Sequence, residues 1–167
     1  LRIADVGTGS GAIAVALAVQ LPQATVYATD VSHEALDMAR LNCRRHRVEE
    51  RVALRCGDLL DPVSEPVDLV VSNPPYIATA EIPHLPAEVR REPMGALDGG
   101  GDGLDVVRRL MLQAQGKLRR PGGLIVEISP TQGAAVRDLA MDLLPGHEIT
   151  VREDMAGSAR ALLAILL

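Results

Sequence analysis

Asn73-Pro74-Pro75-Tyr76 stands directly behind the apolar run Val67 to Ser72, and its residue types suit one task, the holding of a planar nitrogen. The Asn side-chain oxygen and the neighbouring carbonyl of Pro74 can together accept both hydrogens of an NH2 group, because each offers lone pairs and Pro75 stiffens the backbone between them. Tyr76 adds a flat ring that can stack on the group so held. The chain has one other aromatic residue, Tyr27, and no Trp or Phe, so a ring at this place is not core filling. Two prolines can simply end a strand, but a plain turn needs neither Asn nor Tyr at its ends. The tetrapeptide predicts catalytic roles for Asn73, Pro74 and Tyr76, and a substrate clamp formed by Asn73, Pro74, Pro75 and Tyr76, provided a cofactor lies alongside.

A second group of residues supplies that neighbour. Glycines in Gly7-Thr8-Gly9-Ser10-Gly11 let the backbone approach a ligand, and the helix that follows turns free N–H groups and a positive dipole end toward it. Asp30 comes about 20 residues later, where an acid at the end of a second strand accepts hydrogen bonds from a ribose diol. Loop and acid together imply an adenosine-type cofactor. The loop alone leaves alternatives open: Gly7, Gly9 and Ala12 also satisfy the G-x-G-x-x-G/A pattern of dinucleotide sites, and a tight strand-to-helix turn needs no ligand. Asp5, Asp30, Asp58 and Asn73 counted together favour a ligand.

These residues must be positioned by regular elements, and the pattern supplies them. Strands are predicted at Leu1 to Val6, Thr25 to Thr29, Val52 to Cys56, Val67 to Ser72, Leu124 to Ile128, and near Glu148 to Arg152 and Ala161 to Leu166. Helices are predicted at Ala12 to Gln20, from Ser32 as cap with Leu36, Ala39 and Cys43 on one face, from about Asp102 to Leu118, and at Gln132 to Leu143. Pro121-Gly122-Gly123 is read as the stop of the third helix. This alternation means an α/β doubly wound sheet, in which ligands bind beyond the carboxyl ends of the strands. Residues 77–101 break the pattern: they carry Pro83, Pro86 and Pro93, end in Gly99-Gly100-Gly101 and show no period. They read equally as a substrate-covering flap or as a surface excursion with a short helix around Ala87 to Arg91.

With 167 residues and 47% hydrophobic content, the chain fits one domain whose core is built from Leu, Val, Ile, Ala and Met. A net charge of -5 argues against a broad basic surface for nucleic acid. The pairs Arg44-Arg45, Arg90-Arg91, Arg108-Arg109 and Arg119-Arg120 read as solvated faces and helix ends. Cys43 and Cys56 lack zinc or disulfide spacing and read as buried thiols, with a reducing cytoplasm as the default location and no metal expected. The four histidines read as surface or helix-end residues. No apolar stretch approaches the ~20 residues that span a bilayer. The chain opens at Leu1 straight into a strand, as an excised domain would.

Asp5-Val6-Gly7-Thr8-Gly9-Ser10-Gly11 with Asn73-Pro74-Pro75-Tyr76 resembles the S-adenosylmethionine-dependent class I methyltransferases that modify planar nitrogen. Glu92-Pro93, Ala96-Leu97, Gly99-Gly100, Asp102-Gly103-Leu104, Pro121-Gly122-Gly123, Glu127-Ile128, Gln132-Gly133 and Asp154-Met155-Ala156-Gly157 narrow the resemblance to the HemK-type release-factor glutamine methyltransferases, in order and across nearly the whole chain. The resemblance implies a Rossmann-like seven-stranded sheet, mostly parallel with an antiparallel C-terminal strand. It implies S-adenosyl-L-methionine as cofactor and S-adenosyl-L-homocysteine as product. Gly7, Thr8, Gly9, Ser10, Gly11, Asp30, Asp58, Leu59 and Asn73 would hold the cofactor. The reaction implied is methylation of the side-chain amide nitrogen of the glutamine in the Gly-Gly-Gln motif of peptide-chain release factors.

The sequence also departs from that family. Leu59 stands where an aromatic residue is frequent, Ser129 where glycine is usual, and Ser158-Ala159 replaces a more basic pair. The helical domain that the family carries ahead of its first strand has no counterpart, so residues 1–167 are expected to be the catalytic domain alone. The same clamp would accept a ribosomal-protein glutamine or an exocyclic base amine. The acidic balance and scarcity of aromatics count against the base. A nicotinamide-dependent dehydrogenase or a nucleotide-binding module would leave Asn73 to Tyr76 unexplained.

Overall fold

The computed structural model describes residues 1–167. Seven strands, β1 (Arg2–Val6), β2 (Thr25–Asp30), β3 (Val52–Cys56), β4 (Val67–Ser72), β5 (Leu118–Glu127), β6 (Glu148–Glu153) and β7 (Ala159–Leu166), form one sheet of order β3-β2-β1-β4-β5-β7-β6. The first five strands pair in parallel, and β7 runs antiparallel between β5 and β6. The α/β doubly wound class and the antiparallel C-terminal strand are both as expected. Helices α1 (Ala12–Gln20) and α2 (His33–His46) cover one face; α4 (Asp105–Gln115) and α5 (Gly133–Leu143) cover the other.

Because the central strands are covered on both sides, they must be apolar at nearly every position. In β1, Ala4 and Val6 join the larger core cluster with Val70, Leu110, Met111, Leu124 and Val136. Ile3, between them, faces the smaller cluster of Ala14, Ala18, Val26, Cys43 and Val71. Helix α1 is apolar all round, and only Ala14, Val15 and Ala18 are buried. Alanines at these contacts let the helix lie close to the sheet. Helix α2 is capped by the Ser32 hydroxyl, which accepts from Ala35 N–H at 3.1 Å, and its last turn carries Arg44, Arg45 and His46 at the negative dipole end.

Two expectations are corrected. Helix α4 begins three residues after Asp102, whose carboxylate instead accepts from Leu104 N–H in a local turn, and it stops at Gly116. Leu118 belongs to β5, which pairs with Val67 before Pro121 rather than starting at Leu124; a register shift between Val67 and Leu69 absorbs the proline-glycine run. Cys56 is exposed, contrary to the reading of both thiols as buried.

Residues 77–101 form a closed excursion. It contains 3-10 turns at Thr79–His84 and Val89–Arg91 and the short helix α3 (Met94–Leu97). Its base is stapled by Ile77 N–H to Leu97 carbonyl (3.0 Å), Gly99 N–H to Ile77 carbonyl (2.8 Å) and the Thr79 hydroxyl to Asp98 (2.7 Å). Only Ile82 and Leu97 among its large apolar side chains are buried. No helix is long and apolar enough to cross a membrane.

Candidate active site

The strand order reverses between β1 and β4, the position at which a doubly wound sheet opens a crevice. Val6 is in register with Ser72, and the Ser72 hydroxyl donates to the Val6 carbonyl at 2.7 Å. Gly7 and Asn73 therefore leave the sheet side by side, so the glycine loop and the tetrapeptide predicted to work together start from one point.

The loop is held from several directions. Thr8 N–H donates to the Thr29 carbonyl and Gly9 N–H to the Asp30 carboxylate, both at 2.9 Å. The other Asp30 oxygen accepts from Ser32 N–H at 2.9 Å. The Asn42 side chain in α2 donates to the Ser10 carbonyl at 2.9 Å. Gly7, Gly9 and Gly11 all have positive φ, at 68°, 55° and 80°. A Cβ on Gly11 would lie 3.0 Å from that of Ala39, so this glycine lets α1 and α2 meet. At Gly7 and Gly9 no protein atom lies within 4 Å of such a Cβ, which leaves the loop open to a ligand.

Asp5 anchors the loop from beneath. It is fully buried, and one carboxylate oxygen accepts from the Thr8 hydroxyl at 2.6 Å and from Ala14 N–H at 2.9 Å. The other oxygen is buried without a partner. Burial pushes its pKa up to about 6 against the lowering effect of those two hydrogen bonds, with a small addition from the charge of Asp30. Thr8 is buried too, with its hydroxyl committed to Asp5.

Asp58 and Leu59 follow β3 on the same edge. Gly57 N–H donates to the Asp30 carbonyl at 3.0 Å, and the Thr29 hydroxyl donates to the Leu59 carbonyl at 2.7 Å. Leu59 has φ 46°, unusual for a non-glycine residue. Asp58 is ion-paired with Arg109 of α4, an arginine to which the sequence reading gave no role. Arg55 braces the loop after Asp58: it makes two bonds to Glu65 (2.8 and 2.9 Å), one to the Pro62 carbonyl (2.9 Å), and lies 4.5 Å above the Tyr27 ring. The Arg55 hydrogen bonds hold the Glu65 carboxyl down to about 2. Cys56 Sγ lies 3.6 Å from Nε2 of His33 on this rim.

Asn73 is exposed, Pro74 buried, and Pro75 and Tyr76 half-buried. Asn73 borders a cavity of about 230 Å³ with Ile13, Ser72, Glu127 and Arg160. A larger hollow of about 400 Å³ lies between α1 and α2, near Ala16, Val19 and His46, and contains none of the predicted site residues. Chemistry, not size, selects the smaller one. Gly7 to Gly11, Asp30, Asp58, Leu59 and Asn73 thus all stand at the carboxyl edge of β1 to β4. Asn42, Arg55 and Arg109 escaped the sequence reading because each acts across a long chain separation that no local period records. Gln132 had a signal, since it stood among the residues of the family resemblance.

The family model for the methyltransferase small domain matches residues 1–119. The chain is 52% identical to the release factor glutamine methyltransferase of Moorella thermoacetica, covering 97% of this chain and 58% of the relative. It is 49% identical to that of Gloeobacter violaceus, covering 95% and 56%. A third relative, the ribosomal protein uL3 glutamine methyltransferase of Bradyrhizobium diazoefficiens, is 45% identical over 86% of this chain and 45% of its own length. The chain therefore spans only about half of these curated relatives. Among solved structures, ribosomal protein L11 methylase from Lactobacillus delbrueckii subsp. bulgaricus superposes with a TM-score of 0.71 at 25% identity, over 98% of this chain and 68% of that one. A glycine loop and a nitrogen clamp side by side at the switch point, on a sheet shared with known methylases and matched over residues 1–119, show that the chain belongs to the methyltransferase small domain family.

Proposed function

We propose that residues 1–167 are the catalytic domain of an S-adenosylmethionine-dependent enzyme that methylates the side-chain amide nitrogen of a glutamine, that of the Gly-Gly-Gln motif of peptide-chain release factors. The observation that carries this reading is the juxtaposition of Asn73 with the glycine loop through the Val6 and Ser72 register. The relatives named as release factor glutamine methyltransferases support the choice of substrate.

The site fits the cofactor on its own evidence. The loop at Gly7 and Gly9 is unobstructed, and Asp30 and Asp58 stand on the same edge with further lone pairs for hydroxyl or amino groups. Gly7, Thr8, Gly9, Ser10, Gly11, Asp30, Asp58, Leu59 and Asn73 would hold it. S-adenosylmethionine, when bound, supplies an electrophilic methyl group on a sulfonium.

What this chain must contribute follows from the substrate. An amide nitrogen is a poor nucleophile because its lone pair is delocalised into the carbonyl. The Asn73 side-chain oxygen and the Pro74 carbonyl, by accepting its two hydrogens, draw electron density onto nitrogen and stabilise the positive charge that grows there. Alignment of the two reacting groups can account for roughly 7–11 kcal/mol of the barrier. Tyr76 limits the tilt of the amide plane. Asp30 and Asp58 act as ligands and not as an acid-base couple.

The test is incubation with labelled S-adenosylmethionine and, separately, a release factor, ribosomal protein uL3 and RNA, followed by location of the label. Label on the release-factor glutamine supports the reading. Label only on uL3 would move the substrate to the ribosomal protein, the second reading that one relative favours. Label only on RNA would overturn it.

A further inference from the structure

Gln132 reaches the Asn73 to Tyr76 clamp from a distant part of the chain. It is the last residue of the 3-10 turn Pro130–Gln132 and leads into α5. Its Nε2 donates to the Tyr76 carbonyl at 2.9 Å and to the Gly103 carbonyl at 3.2 Å, while its Oε1 accepts from Ser129 N–H at 3.1 Å. One primary amide thus joins three backbone segments: the end of the clamp, the loop that closes residues 77–101, and the turn between β5 and α5. Gly103 is packed against the same point, since a Cβ there would lie 2.5 Å from the Tyr76 carbonyl oxygen and 2.7 Å from Nε2.

Two donors and an acceptor on one planar group are what this junction demands. A carboxylate would set negative charge against two carbonyls, and an aliphatic side chain would leave both of them and Ser129 N–H without that partner. The front of the clamp is fixed by the pairing of β4 with β1 and the Ser72 hydroxyl. Its rear carbonyl is fixed by Gln132. We infer that Gln132 is a positioning residue for methyl transfer, which sets the orientation of Pro74 to Tyr76 and so the direction of the acceptor groups at Asn73 and Pro74. This inference rests on the function proposed above.

The experiment compares Gln132→Leu, Gln132→Glu and Gly103→Ala with the unaltered protein. Gly103→Ala disturbs the same junction from the opposite side. Expected are a fall in kcat for the release factor on the order of 100-fold, as for a displacement of about 1 Å in an aligned site, and calorimetric affinity for S-adenosylhomocysteine equal to that of the unaltered protein. With S-adenosylhomocysteine bound, hydrogen exchange should quicken at Ile77 and Gly99, whose amides bond across the base of the excursion, and stay unchanged in β1 and β4. Undiminished kcat in all three variants would overturn the inference. So would loss of kcat and cofactor affinity together with faster exchange throughout the sheet, the mark of general destabilisation. Should the unaltered protein transfer nothing to a release factor, the proposed substrate fails, and the exchange measurement, which needs no substrate, still decides whether Gln132 holds the clamp.

Discussion

Asp30 accepts the N–H of Gly9 on one carboxylate oxygen and the N–H of Ser32 on the other, each at 2.9 Å, so a single acid joins the glycine loop to the start of α2. Its service to a ribose would come in addition to this bracing, through lone pairs that remain free. Asp30→Ala should therefore lose cofactor affinity for two reasons. Bonds to a charged group are worth about 1.5–3 kcal/mol, so affinity for S-adenosylhomocysteine should drop by roughly tenfold to a hundredfold. Asp30→Asn keeps one acceptor and should fall between. Calorimetry on the three proteins measures this, and equal affinities would remove Asp30 from the site.

Asn73→Ala should lower kcat by about 10²–10³, the usual effect of deleting one group that stabilises developing charge. Because the Asn73 side chain is exposed, the variant should melt like the parent and bind S-adenosylhomocysteine. Turnover at the parental rate would eliminate the clamp.

Gly9 and Gly11 both need left-handed backbone, yet their replacement by alanine should fail differently. Gly11→Ala drives a methyl group into Ala39 and should destabilise by about 1–3 kcal/mol through overpacking, visible in urea titration. Gly9→Ala meets open space, so strain of about 1–2 kcal/mol is its structural effect. The larger loss there should appear in cofactor affinity, since the methyl group occupies the ligand's side of the loop.

Asp5 makes stability depend on pH in an unusual direction. Its carboxyl is raised from 3.8 to about 6 in the folded state, so between these values the native protein binds more protons than the unfolded chain. The stability contributed by the protonated form is present below about pH 4 and is lost as pH rises through about 6, by about 3 kcal/mol in all. Asp5→Asn removes this slope while keeping an acceptor for Thr8 and Ala14. Urea unfolding at pH 4.5 and pH 7.5 should show the variant gaining on the parent at the higher pH. Parallel behaviour would mean that Asp5 does not titrate in this range.

Much of this architecture was legible because it is locally encoded. The bounds of α1, the Ser32 cap and the strand ends at Cys56 and Ser72 follow from period, capping chemistry and polar punctuation within a few residues. The start of α4 was misplaced because Asp102 reads as a helix start but caps a turn around Gly103. The long β5 was hidden by Pro121, which can enter a strand only where pairing is irregular, as it is here. Of the site, the ligand-facing loop and clamp were visible as motifs. Their supports were not: Arg109 beneath Asp58, Asn42 behind Ser10 and Gln132 behind Tyr76 become partners only when the sheet brings distant segments together.

The placement of the two tyrosines gives the protein a built-in optical reporter. Tyr27 is buried beneath the Arg55 guanidinium, while Tyr76 is half-buried in the clamp itself, and there is no tryptophan to mask either. Near-ultraviolet emission therefore divides into a shielded signal and one that originates where the substrate docks. Ligand occupancy can be followed on the unlabelled protein, with Tyr76→Phe identifying its share of the light.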